Sequence, residues 1–310
     1  NKLDCWRWMF WAGVVPALVL LVGMCFVPET PRWLLSKGRL KECRKVLQKI
    51  EPENTVNDLI GQMEVEIEKD RNSAVGWRYL MQPWLRTPLM IAVCIMFFQQ
   101  FVGINTVIYY SPKIFLMAGF ESTLSAIWAS VGIGIVNVVF TVISLYLVDR
   151  IGRRKLYFIG LSGIAFSVLC LSACFIYTNQ LGEIGRWLMV IFMFGYVAFF
   201  AISIGPLGWL VISEIFPQKV RGLGTSIGSL AVWIFNCIVS FTFFKIIDFF
   251  SIPGTEIVVG QTTSENPAGA FFLYGFIAVL GLVWGYLFLP ETKGLSLEEI
   301  EQKWRKNREC

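Results

Sequence analysis

Apolar residues gather in this chain into seven long runs, at approximately 8–27, 88–110, 125–148, 156–177, 187–212, 223–247 and 270–289. Each approaches or exceeds the ~20 residues that an α-helix needs to cross a bilayer. The pattern predicts an all-α, polytopic membrane protein of about seven transmembrane helices. Lys and Arg orient them. They crowd the segments Arg32–Arg86, Arg150–Lys155, Lys219–Arg221 and Lys293–Arg308, which hold 22 of the 27 basic residues, whereas 251–269 has none. Cytoplasmic loops carry the excess of Lys and Arg. The expectation is a multi-pass protein of the plasma or inner membrane with its C-terminus inside.

Segment 29–87 is too long for a simple turn. Its stretches LKECRKVLQKI and TVNDLIGQMEVEIEKD have helical apolar spacing, which predicts two short amphipathic helices at the membrane surface, the second capped by Asn54 or Thr55. A short repeat brackets the rest: VPETPRW (Val27–Trp33) ends the first run and LPETKG (Leu289–Gly294) ends the seventh. Six spans separate the two copies, the signature of a transporter built from six-helix halves. The expected organisation is 1–28, the last helix of a first half; 29–87, a cytoplasmic loop; 88–290, a six-helix half; and 291–310, a cytoplasmic tail. The start at Asn1 reads as part of a longer chain.

Composition narrows the chemistry. The absence of histidine excludes His relays, His-based triads and the usual zinc sites. Eight cysteines (Cys5, Cys25, Cys43, Cys94, Cys170, Cys174, Cys237 and Cys310) form no CxxC pair and read as small packing residues. The net charge of +5 follows membrane topology and implies no nucleic-acid partner. No metal, cofactor or catalytic group is expected.

The polar residues inside the apolar runs are mostly neutral. MFFQQFVGINTVIYYSP (Met96–Pro112) carries Gln99, Gln100, Asn105, Tyr109 and Tyr110 without a charge. Unpartnered amides are costly in hydrocarbon, so they face a partner or a watery cavity. On a straight helix Gln100 and Asn105 would point roughly 140° apart; an unwinding at Gly103 would bring them together. Amides and phenols suit a neutral ligand rich in hydroxyls, the alternative being that they bond neighbouring helices. In AISIGPLGWLV (Ala201–Val211), Gly205 and Pro206 predict a helix break beside Trp209, an indole on which a sugar face could stack, the alternative being an aromatic at the membrane interface. Asn137, Trp233 and Asn236 add neutral polar or aromatic groups. Two short loops, VDRIGRRKL (148–156) and SEIFPQKVRG (213–222), place Asp149, Arg153, Arg154, Glu214 and Arg221 at one end of the spans. With Glu29, Arg32 and Glu291 these could form a charge network that latches the inner face; the alternative is solvated flanking charge.

These motifs, PETPRWL, QQFVGIN with YY, DRIGRR, GPLGW with SEIFP, RG and PETKG, appear in an order that resembles the sugar porter family of the major facilitator superfamily, notably bacterial D-xylose–proton symporters and facilitative glucose transporters. The resemblance covers nearly the whole chain and implies helices 6–12 of a twelve-helix fold. It implies that Gln99, Gln100, Asn105, Asn137 and Trp209 bind sugar, that Tyr109 and Tyr110 gate the outer side, and that Asp149, Arg153, Glu214 and Arg221 form the inner charge network; from the residues themselves Gly205, Pro206 and Trp233 are expected to share in gating, and Glu29, Arg32, Arg154 and Glu291 to join the network. Val232 departs from the family's usual Gln or Asn there.

The function expected is transport of a neutral monosaccharide, a pentose or hexose, by alternating access, as sugar–proton symport. The alternatives are a sugar or inositol uniporter, a non-transporting sugar sensor, or an inactive fragment. The partners expected are the sugar, the proton and the lipid bilayer.

Overall fold

A computed structural model describes residues 5–71, 77–120, 122–251, 257–259, 262–294, 299 and 304. The chain divides into two compact units, Asn1–Ala74 and Val75–Cys310.

In the first unit, apolar helices α1 (Cys5–Ala12) and α2 (Val14–Phe26) meet at Gly13, and α2 buries none of its side chains. The apolar helical stretch Phe10–Phe26 is shorter than the six long spans of the second unit. Segment 29–87 begins with three helices where the sequence suggested two: α3 (Pro31–Ser36), α4 (Leu40–Leu47) and α5 (Glu53–Arg71). The extra one follows from PETP. Thr30 accepts the Trp33 amide at 3.4 Å and Pro31 opens the helix, where its missing N–H costs nothing. Leu34, Leu35, Cys43, Leu47, Val56 and Ile60 close a small core. Arg39 grips Glu42 at 2.6 Å in the first turn of α4. Helix α5 begins before the expected caps, and the Thr55 hydroxyl donates to the Pro52 carbonyl at 2.8 Å.

Among the described residues, the second unit holds six helical stretches long and apolar enough to cross a membrane. After the short α6 (Trp77–Leu80), they are α7 (Arg86–Phe101) with α8 (Ile104–Met117); α9 (Thr123–Ile151); α10 (Arg153–Ile176); α11 (Thr178–Ile202) with α12 (Ile204–Ile215); α13 (Gln218–Phe249); and α14 (Ala268–Phe288). An antiparallel pair, β1 (Ile257–Val259) and β2 (Thr262–Ser264), precedes α14, with Ile257 opposite Ser264. One core runs through the unit, built on α10 against α11 and α14 and on α7 against α13. Helix α9 buries little beyond Ala126, Ile133 and Ser144. Its exposed Leu, Val and Ile side chains suit lipid, and helical backbone satisfies itself there.

Two stretches are broken, and the breaks shape the site. At Gly103 the backbone turns left-handed (φ +87°), as the sequence expected. Only glycine fits: an added Cβ would lie 2.3 Å from the Tyr274 ring. The second break is at Ser203 (φ −126°, ψ −102°), three residues before the proline the sequence pointed to. Pro206 sits in the first turn of α12, where an N–H has no partner within its helix. The carbonyl that a continuous helix would have paired with residue 206 belongs to Ile202. It accepts instead from the buried Ser144 hydroxyl of α9 at 2.8 Å. Ser203 turns its own hydroxyl to the Phe199 carbonyl at 2.6 Å.

Candidate functional site

The breaks in α7–α8 and α11–α12 border a cavity of about 440 Å³, lined on its polar side by Gln99, Gln100, Asn105 and Tyr109. Small-molecule sites commonly measure ~300–1,000 Å³. Asn137 and Thr141 of α9, Gly205, Pro206 and Trp209 of α12, and Val232, Trp233 and Asn236 of α13 complete much of the wall. Among the described residues that line it, none is Asp, Glu, Lys or Arg.

The amides form a chain. Asn105 Nδ2 donates to Gln100 Oε1 at 2.6 Å, and Gln100 Nε2 donates to Gln99 Oε1 at 3.4 Å. Gln99 Nε2 donates to the carbonyls of Ile204 (3.1 Å) and Gly205 (2.7 Å). The break at Gly103 lets Gln100 and Asn105 meet. Gln99 and Gln100 are buried, whereas Asn105 and Asn137 are half-buried. Asn137 Oδ1 accepts from Thr141 at 3.4 Å. Trp209, Trp233 and Tyr109 keep 46, 67 and 53% of their surface exposed, so three aromatic faces are open to a ligand.

The two tyrosines part company. Tyr109 faces the cavity, and its hydroxyl accepts from Asn236 Nδ2 at 3.4 Å. Tyr110 is turned into α13, stacked on Phe243 with ring centres 5.4 Å apart. Adjacent helical residues point about 100° apart, so YY places one ring in the cavity and one in the packing. Sequence reasoning missed the serines and Tyr274. Ser144, Ser111 and Ser203 each donate to a carbonyl, Ile202, Ile108 and Phe199 respectively. The first two carbonyls lie four residues before a proline, Pro206 and Pro112. A serine near a proline's i−4 carbonyl in space is a signal, but Ser144 is distant in sequence.

At the end of the unit where α9 and α10 join, the charged loops converge. Arg153 Nη2 meets Glu214 Oε1 at 2.8 Å and Nη1 meets Asp149 Oδ1 at 3.3 Å. The pair is well sheltered, with 13 and 19% of the two side chains exposed. The Thr292 hydroxyl donates to Glu214 Oε2 at 2.5 Å. Glu291 caps α10: its oxygens accept the backbone amides of Arg153 and Arg154, each at 3.1 Å, and that of Lys293 at 3.0 Å. Negative charge is favourable at a helix N-terminus. Burial disfavours the Glu291 anion, but those amides and that of Thr292 outweigh it and hold the carboxyl below its ordinary value of 4.5. Arg154 reaches the Tyr286 carbonyl at 2.7 Å. Arg221 is half-buried in the first turn of α13. Glu29 and Arg32, the remaining members of the expected network, are exposed residues of the first unit.

The sequence matches the family described as Sugar (and other) transporter over residues 1–304. Among curated relatives it is 36% identical to the probable metabolite transport protein CsbC of Bacillus subtilis, over 99% of this chain and 62% of that protein. It is 37% identical to the glucose transporter GlcP of Staphylococcus epidermidis, over 98% of this chain and 63% of that one. Among solved structures it resembles the major facilitator superfamily proton:xylose symporter XylE of E. coli bound to 6-bromo-6-deoxy-D-glucose. There the TM-score is 0.74 at 33% identity, over 96% of this chain and 59% of that one. The chain thus spans about three fifths of the length of these relatives.

Proposed function

The chain belongs to the sugar transporter family and is an integral membrane protein of the major facilitator fold; from that premise we propose that it forms one wall of the sugar site of a monosaccharide transporter that works by alternating access. The observation that carries this reading is the uncharged cavity, whose amides, aromatic faces and lack of carboxylates match a neutral polyol. In this reading Gln100, Asn105 and Asn137 exchange hydrogen bonds with sugar hydroxyls, and Trp209 offers its face to sugar C–H groups. Tyr109 and Trp233 close over the ligand. The break at Ser203, with Gly205 and Pro206 just beyond it, lets α12 tilt.

The basic segments face the cytoplasm, and the C-terminus with them. The cluster around Arg153 and Glu214 holds that side shut and opens as the helices tilt. Coupling to protons is the finer part of the proposal, drawn from the symporter relatives. Val232 is buried in the wall where an amide would give another hydrogen bond, so its replacement by Asn shifts the ranking of pentose and hexose.

The test is uptake of labelled D-xylose and D-glucose into liposomes carrying the full-length protein, with and without an inward proton gradient. Saturable uptake supports transport, and stimulation by the gradient supports symport. Uptake indifferent to the gradient supports the uniporter. Specific sugar binding without uptake supports the sensor, and neither binding nor uptake removes the sugar reading.

A further inference from the structure

We propose that helices α3 and α4 form a docking face for anionic lipid headgroups of the cytoplasmic leaflet, held there by charge and not by apolar insertion. The proposal uses the inward orientation of the basic segments argued above and nothing of the sugar site.

An amphipathic helix at a membrane surface ordinarily buries its apolar face in the lipid. Here that face is already occupied, because Leu34, Leu35, Cys43, Leu47, Val56 and Ile60 turn inward to close the small core. What α3 and α4 leave outside is charge. From Arg32 to Ile50 the chain carries seven basic residues against one acidic, Glu42, whereas from Glu51 to Arg71 it carries seven acidic against two basic. A merely solvated surface intersperses the two signs. This one separates them, with α3 and α4 basic and α5 acidic around a single core.

Two of the basic side chains are engaged within the unit: Arg39 is paired with Glu42, and Arg44 donates to Asn57 of α5. The ammonium groups of Lys37, Lys41, Lys45 and Lys49 are exposed and unpaired among the described residues. Lys45 lies about 200° around α4 from both Cys43 and Leu47, so it points away from the core. Lys41 stands one turn before it and Lys49 one turn after. Trp33, Leu40 and Ile50, their neighbours in the chain, are exposed and suit the headgroup level. The chain also sets the distance. Helix α2 has no charge and buries none of its side chains, so it belongs in hydrocarbon. The five steps from Phe26 to Pro31 reach at most about 18 Å, and the headgroup layer is itself about 5–8 Å deep. Helix α3 therefore opens at that layer, and α4 packs on α3. Four such lysines next to a span suffice to attract anionic lipid. The same lipid repels the acidic α5, which turns the lysine face toward it.

The experiment uses the full-length protein in nanodiscs of phosphatidylcholine, alone or with one third phosphatidylglycerol. Amide hydrogen exchange is followed over residues 37–50, and native mass spectrometry counts the phosphatidylglycerol retained. In wild type, phosphatidylglycerol should slow that exchange at least threefold. Salt at 1 M, where the screening length is about 3 Å, should abolish the slowing. Lys41→Gln/Lys45→Gln/Lys49→Gln should lose the slowing and retain less phosphatidylglycerol, since each charge near the surface is worth about fivefold in association. Lys41→Arg/Lys45→Arg/Lys49→Arg should keep both. So should Glu64→Gln/Glu68→Gln, on the acidic helix.

Equal exchange of wild type in the two kinds of disc would overturn the proposal. So would slowing that survives 1 M salt, the mark of apolar insertion, or slowing unchanged in the Gln triple. Protection by a Glu-rich peptide in phosphatidylcholine discs, with none from phosphatidylglycerol, would overturn it in favour of an acidic protein segment. Should the Gln triple fail to fold, the salt series on wild type decides alone. Sugar is absent from every arm, so failure of the sugar-site reading is read separately, from uptake.

Discussion

The amide wall and the ion cluster lie in one helical unit, yet the first is neutral and bonded mostly to itself, and the second is charged and bonded mostly to backbone. In the wall, Asn105, Gln100 and Gln99 bond in series, and only the last reaches carbonyls. In the cluster, Glu291 gathers the amides of three residues and Arg153 joins two carboxylates. The difference concerns exchangeability. An amide offers both a donor and an acceptor, so a ligand hydroxyl can replace its partner with little loss. A sheltered ion pair has no such substitute, since separating it leaves each charge poorly solvated. The wall suits binding and release; the cluster suits holding one of two states until water enters.

The largest test of this contrast is Gly103→Ala. A left-handed alanine costs ~1–2 kcal/mol, and its methyl would meet the Tyr274 ring at 2.3 Å. Sugar affinity should fall more than tenfold, because Gln100 and Asn105 no longer meet. Normal isothermal-titration affinity in this variant would separate the wall from the break. Next in size is Gln100→Ala. Loss of one buried partner costs about 1–3 kcal/mol, a weakening of roughly fivefold to 150-fold. Membrane insertion, followed by size-exclusion profile, should stay normal.

A double-mutant cycle with Arg153→Met and Glu214→Met probes the cluster. A coupling energy of ~0.5–3 kcal/mol is expected in thermal stability, with sugar affinity altered less than threefold; a large change in affinity would erase the distinction drawn here. The smallest effect is the pH response of Glu291. Its carboxyl is held below 4.5 by backbone amides despite its burial. The stabilisation is therefore complete above the ordinary carboxylate range and is lost as pH falls through the lowered value. Acidification from pH 6 to below 4.5 should lower the melting temperature of wild type more than that of Glu291→Gln. The difference should be roughly 2–4 °C at most, since the group is partly exposed.

Much of this was legible in the chain. Apolar runs located the six long helices, Gly103 announced its break, and amides with no charge nearby marked the wall. Acid and base in the loops around Gly152 and Phe216 marked the ion cluster. Three features stayed hidden for physical reasons. A proline signals a missing N–H but not which residue will serve the stranded carbonyl, so the second break fell at Ser203, where Ser144 from another helix serves Ile202. Two adjacent tyrosines look alike in sequence, yet helix rotation sends Tyr109 to the cavity and Tyr110 into α13. The two Pro-Glu-Thr copies read as one repeat but act differently. Thr30 caps the helix that follows it, whereas Glu291 caps α10, 138 residues before it. Local sequence exposes contacts within a few residues; those closed by tertiary packing are written in no single motif.

The Glu291 cap sets a schedule for the making of the protein. A ribosome delivers α10 long before residue 291, so the exposed amides of Arg153 and Arg154 must wait while α11 to α14 are synthesised and inserted. Gly152 keeps the berth open, with the Glu291 carboxylate finally settling 2.9 Å from where a side chain would begin. The segment that follows α14 therefore fastens a helix made much earlier. A nascent chain halted before Pro290 would present a bundle whose third long helix still lacks its clasp, a state that quality-control proteases could distinguish from the finished protein.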